Sequence, residues 1–246
     1  MTNQQFLDSF YTLYDKVSTN GAPTMPVPQI QVLATEAQEL LLVTGLSPES
    51  NRLRQGAEES EKRIQDFGEL IRHKIITPQA YDANTNNDNG VFVSLPNSPF
   101  NLAAYQGNPA SFDVFYFPVQ EQAVANFKNC NGKYEKIKVY EYSHAEYTTL
   151  LEDPFNRPSK KRVWRLRVEG FKHELITDGT YSITAYILRY IRKPRPILLD
   201  GTLPLSAEVS ELSEHKHREI LRMTVDLAVR AMENTIRIQT EPKIIE

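Results

Sequence analysis

The stretch "SEHKHREILRMTVDLAVRAME", Ser213 to Glu233, decides how the rest of the chain is read. Ser213 stands as an N-cap and Glu214 falls in the first turn, where the helix dipole favours a carboxylate. At about 100° per residue, Ile220, Thr224, Leu227 and Ala231 stack on one face. A second apolar stripe, Leu221, Val225, Ala228 and Met232, lies beside it, and Val229 extends it. Together they span an arc of about 200°, wider than a surface helix buries against one neighbour. Such a helix either sits deep in its own domain or also meets a second copy of the chain. Leu221, Val225, Val229 and Met232 are therefore the candidate subunit interface.

The same stretch holds two of the five histidines. On a helix, His215 and His217 lie roughly 160° apart, and the i, i+4 spacing of a helical zinc pair is absent. A polar, solvated first turn is expected, and no metal ligand.

Outward from this helix, the N-terminal third also reads as helical. Phe6, Phe10, Leu13, Tyr14 and Val17 recur at helical spacing, with Thr2 as a cap. A second helix is expected from Gln29 to Thr44 with Leu33, Ala37, Leu40 and Leu41 inward. A third, "AEESEKRIQDFGELIRHKI" (57–75), places Ile64, Phe67 and Ile71 on a narrow face and reads as peripheral. From about Ile75 the period shortens. Strands are expected at Val91 to Ser94 and in "SFDVFYFPV" (111–119), "YEKIKVYEY" (134–142), "RVWRLRV" (162–168), "FKHELIT" (171–177) and "YSITAYILRYI" (181–191). Asn131-Gly132 and Asp178-Gly179 read as hairpin turns. A short helix capped by Ser143 interrupts the strands. Trp164, Leu166 and Val168 alternate with Arg165 and Arg167, as in a sheet with one buried and one solvated face.

Segregated runs of helix, strand and helix give an α+β fold. The expected organisation is N-terminal helices over 1–75, an antiparallel β-rich insert over 76–204, a C-terminal helix over 205–233 completing a small bundle, and an extended arm over 234–246. Pro194 and Pro196 fix an extended exit from the last strand.

Composition removes several function classes. Hydrophobic residues at 40% and charged residues at 24% suit a globular chain, and a net charge of -3 makes no general case for nucleic acid. The lone Cys130 excludes an intrachain disulfide framework and a C-x-x-C site. No apolar run reaches bilayer length, and "MTNQQFLDSF" is no signal peptide, so a soluble intracellular protein without a membrane partner is expected. Walker A, G-x-G-x-x-G and G-x-S-x-G patterns are missing, and no cofactor is expected. The loop "DANTNNDNG" from Asp82 lacks the glycine and glutamate of a calcium loop. Cys130 in a turn reads as a bystander, even with His144 or His173 brought near it, and the paired carboxylates Glu58/Glu59 and Glu152/Asp153 read as solvated charge. No catalytic site emerges.

One charge feature stands out. From Arg157 to Arg195 there are eleven Lys/Arg and three Asp/Glu. Arg162, Arg165, Arg167, Arg192, Lys193 and Arg195 form the candidate basic face. It either matches an acidic part of another subunit, lies solvated, or, with interleaved aromatics such as Trp164, Tyr186 and Tyr190, holds a nucleic acid.

Two regions carry a family resemblance. "YILRYIRKPRPILLDGTLPL" (186–205), followed by "ELSEHKHREILRMTVDLAVRAME" (211–233), resembles virion structural proteins of crAss-like and related tailed phages infecting Bacteroidetes. So do "NQQFLDSFYTLYDKVSTNGAP" (3–23) and "ATEAQELLLVTGL" (34–46). The resemblance implies a non-enzymatic head-to-tail connector: a dodecameric ring under the portal, surrounding the DNA exit channel. The implied partners are copies of itself, the portal protein, other tail ring proteins and DNA passing through without sequence-specific binding. Its place is the virion head-tail junction, after assembly in the host cytoplasm. The arm, with Ile236, Ile238, Ile244 and Ile245, is the implied portal contact.

Overall fold

A computed structural model describes residues 1–17, 24–46, 66–80, 90–108, 111–127, 134–153, 155–168 and 170–240. The chain divides into two units: Met1–Leu70 with Pro194–Glu246, and Ile71–Lys193 between them. The α+β class holds, with the three long helices in the first unit and the strands, with two short helices, in the second.

The first unit contains α1 (Asn3–Val17), α2 (Val27–Leu46) and the long C-terminal helix α5 (Glu214–Thr240). α5 packs on both α1 and α2. Phe6, Phe10 and Tyr14 of α1 are buried, as are Ile30, Ala34, Ala37, Leu41 and Leu42 of α2 and Ile220, Leu221, Val225 and Ala228 of α5. Leu40 departs from expectation: it is 45% exposed, because the inward face of α2 is centred on Ala34, Ala37 and Leu41 and leaves Leu40 about 100° to the side. A stripe of polar side chains on α2 takes up the segment after the last strand. Ile197 N donates to Thr35 Oγ1 at 3.2 Å, Leu199 N to Gln31 Oε1 at 3.1 Å, and Gln38 Nε2 to the Arg195 carbonyl at 2.8 Å. Three residues at i, i+4 and i+7 on a helix thus satisfy alternate backbone groups of an extended chain.

The tail differs from expectation. Residues 234–240, read as an extended arm, are the last turns of α5. The first proline after Ser213 is Pro242, so nothing in "NTIRIQT" stops a helix already under way.

The second unit is a nine-stranded sheet with order β1-β9-β5-β6-β7-β8-β3-β2 and a short β4 added to β5. The strands are β1 (Ile71–Ile76), β2 (Gln79–Ala80), β3 (Gly90–Ser94), β4 (Asn97–Ser98), β5 (Asp113–Phe127), β6 (Tyr134–Glu141), β7 (Arg162–Val168), β8 (Lys172–Ile176) and β9 (Tyr181–Arg192). Helix α3 (Leu102–Gly107) precedes β5, and α4 (His144–Glu152) links β6 to β7.

Three sequence expectations are corrected here. Ile71 to Ile75, read as the end of a helix, form an edge strand paired antiparallel to β9; long-range pairing overrides local periodicity, and the rest of that expected helix lies mostly outside the described residues. The sheet is mixed, since β6 and β7 pair in parallel after the α4 crossover. The Asp178-Gly179 turn joins β8 to β9, strands that do not pair; Gly179 supplies a φ of 78° for the turn, while β8 pairs with β7 and β3. Asn131-Gly132 lies outside the described residues.

The sheet buries side chains on both faces. Val93, Phe115, Ala123, Val139, Leu175, Tyr186 and Leu188 belong to the main core. Trp164, Leu166 and Ile176 form a smaller one beneath α4, joined by Tyr142, Tyr147, Leu150 and Leu151. α4 itself starts with a capping box: Glu146 N donates to Ser143 Oγ at 3.3 Å, and Ser143 N to Glu146 Oε2 at 3.1 Å.

Candidate functional site

The surfaces expected from sequence separate once burial is known. On α5, Leu221 and Val225 are each 5% exposed, consumed by contacts within their own unit. They are core, because the wide apolar arc faces α1 on one side and α2 on the other. Val229 and Met232 are half-buried and remain open for a further contact. Ile236 and Ile238 lie in the last turns of α5; Ile244 and Ile245 lie outside the described residues. His217 is buried, with Nδ1 3.1 Å from the Met1 amine, while His215 is exposed with Nε2 3.6 Å from Asp66 Oδ1. Burial and that amine hold the His217 imidazole below its ordinary pKa.

The basic face does not survive as drawn. Arg165, Arg192 and Arg195 are buried. Arg167 is exposed, and Arg162 and Lys193 are half-buried. The alternation of β7 implies one wet side, but that side is covered at Arg165 and open at Arg167. Arg195 serves the first unit: its N–H donates to Glu211 Oε2 at 2.9 Å and its guanidinium to the Glu208 carbonyl. Arg192 stacks its guanidinium 5.7 Å from the Phe112 ring centroid. Half of the cationic groups needed to track a phosphate backbone are thus committed inside the protein, which removes most support for the nucleic-acid reading.

Arg165 anchors a buried polar cluster. Its Nε lies 3.2 Å from Glu121 Oε2 of β5, and its Nη2 meets Glu141, the residue directly across from it in the β6–β7 register. Its Nη1 is 3.0 Å from His173 Nε2, His173 Nδ1 is 3.3 Å from the Tyr186 hydroxyl, and that hydroxyl donates to Glu121 Oε1 at 2.6 Å. Arginine only donates, so His173 Nε2 must accept and the imidazole proton sits on Nδ1. The four side chains close a ring. Burial first, then the charges of Arg165 and Arg167, push the His173 pKa down to about 3, which keeps it neutral. Burial raises the Glu121 carboxyl, and burial together with Glu121 raises the Tyr186 hydroxyl.

This cluster was missed from sequence. The one trace of it is Glu121, a charge inside an otherwise long strand whose neighbours Ala123 and Ala125 are fully buried. The cluster has acids and a base, but all its members point at one another, and Glu121 and Arg165 neutralise each other. Such closed networks fix strand register. Among the described residues, no group of three or more His, Cys, Asp or Glu could hold a metal ion, and no helix is long and apolar enough to cross a membrane.

The two units are a helical body and a mixed sheet with a closed polar cluster inside it. Comparison with known proteins says what kind of subunit this is. The chain belongs to the phage tail ring protein 3/4 family, whose description matches residues 1–239. It is 30% identical to "Ring protein 4/5" of Bacteroides phage crAss001, covering 98% of both chains. It is also 26% identical to "Ring protein 3" of the same phage, over 93% of this chain and 95% of that one. The protein is therefore a structural component of a crAss-like phage virion, with a ring role in the tail.

Proposed function

We propose that the chain forms a closed, dodecameric ring in the connector between portal and tail, with DNA passing through its channel without sequence-specific recognition. The observation that carries this reading is the end-to-end likeness to two ring proteins of one phage, ring 3 and ring 4/5. Charge supports it: Ile71–Lys193 has sixteen Lys/Arg against twelve Asp/Glu, while the helical unit has twelve against nineteen. Oppositely charged units suit head-to-tail neighbours or stacked rings. The end of α5, with Ile236 and Ile238, and then Ile244 and Ile245, is the segment that reaches the portal or the next ring.

The test is native mass, first of the purified chain and then of the chain mixed with the portal protein of its phage. A shift from 28.2 kDa to a closed multiple on or with the portal is expected. A strict monomer in both conditions overturns the portal-connector placement.

A further inference from the structure

The face of α2 that the core leaves outside carries three large aliphatic side chains around the exposed Gln29 and Glu36. Val32, Leu40 and Val43 are 65%, 45% and 47% exposed, and with Glu36 they fall within one arc of about 80° on the helix. A helix end-to-end in a folded unit with three large aliphatic side chains on its wet face is marked for a partner. Elsewhere in the same unit, α1 and α5 border a groove of about 520 Å³. Its walls include Leu13 and Leu221, and its rim carries Arg218 and Arg222 against a single carboxylate, Asp8. Both arginines are exposed.

From these two surfaces we infer that neighbouring copies in the ring join by laying the α2 face of one copy into the α1/α5 groove of the next. This rests on the ring reading above. The occupant is a second copy because the surfaces are complementary and differ from each other. Aliphatic side chains meet Leu13 and the groove floor, and the exposed Glu36 carboxylate meets the Arg218 and Arg222 rim. A contact between two different patches is heterologous, and its repetition closes a ring where the rotation per step divides a full turn.

The inference is tested with two variants on the full chain, Leu40→Asp on the α2 face and Arg222→Glu in the groove. Both positions are exposed, so each variant keeps the wild-type circular dichroism spectrum and melting behaviour. Alone, each raises the concentration for half-assembly at least about tenfold. Mixed in equal amounts, they pair once and stop, because one retains a working groove and the other a working face. Native mass spectrometry then shows a species of two subunits and nothing larger. Normal assembly of either variant, or a mixture that stays at 28.2 kDa while the wild type assembles, overturns this inference and leaves the ring reading standing. If deletion after Asn234 stops assembly and Leu40→Asp does not, the groove is filled by the neighbour's C-terminal segment and the inference fails. A wild-type chain that never assembles, alone or with tail components, overturns both.

Discussion

Arg165 Nε and Glu121 Oε2 stand 3.2 Å apart, the arginine side chain 1% exposed and the carboxylate 10%. Removal of one partner leaves the other charged in a dry place, so Arg165→Ala is expected to lower unfolding stability by about 3–5 kcal/mol. Chemical denaturation reads this directly. A loss under about 1 kcal/mol would mean that water reaches the cluster and screens the pair.

The same cluster sets an acid response. The folded-state pKa of His173 is depressed to about 3 from 6.5, so its contribution to stability is present above pH 6.5 and lost as pH falls toward 3. The steepest slope from one such group is about 1.4 kcal/mol per pH unit. Glu121, raised by burial, works in the opposite sense below neutrality and partly offsets it. His173→Gln is expected to flatten the stability profile between pH 7 and 4. Unchanged curvature would assign the acid response to other groups.

Gln38 holds two elements at once, since its Nε2 reaches the Arg195 carbonyl and its Oε1 accepts from Ser210 Oγ at 2.6 Å. Gln38→Leu keeps the volume and strands both partners. A loss of about 1–3 kcal/mol follows, with amide exchange rising first at Ile197 and Leu199. Exchange that rises evenly across the chain would deny that α2 pins this segment.

A Cβ on Gly45 would come within 2.6 Å of Phe67 Cζ. Gly45→Ala gains helix propensity of about 1 kcal/mol and yet is expected to destabilise by about 1–3 kcal/mol through overpacking. Phe67→Leu in the same chain should recover part of that loss, and a melting series of the three variants shows whether it does.

Val225→Asp and Val229→Asp separate core from surface on α5. The first places a carboxylate at a position 5% exposed and should unfold the helical unit; the second should leave the melting temperature within a few degrees. A melting temperature unchanged by Val225→Asp would return Val225 to the surface.

Much of this was legible beforehand, and the gaps have causes. "RVWRLRV" names β7 to the residue because Trp164, Leu166 and Val168 alternate there with Arg165 and Arg167. Its arginine side could not be read, because the burial of Arg165 depends on Glu121 and Glu141 arriving from β5 and β6. Ile71–Ile76 fails for a related reason: its partner is more than a hundred residues away in β9, and nothing local announces a strand. On α2, aliphatics run nearly all round the helix, so periodicity alone could not tell Leu40 from Leu41. That ambiguity hides the outward face of Val32, Leu40 and Val43 from a reading by periodicity.

The register of β1 and β9 sets Ile71 opposite Ile191, so the chain enters and leaves the sheet unit at neighbouring points. The unit is thus a cassette spliced into the helical body between Leu70 and Pro194. During synthesis α1 and α2 emerge first, yet their core stays open until α5, made after the sheet unit, has also emerged. A nascent chain therefore holds no finished α1/α5 groove while the cassette folds. If that groove joins neighbours in the ring, incomplete copies lack it and are kept out of assembly by the order of translation.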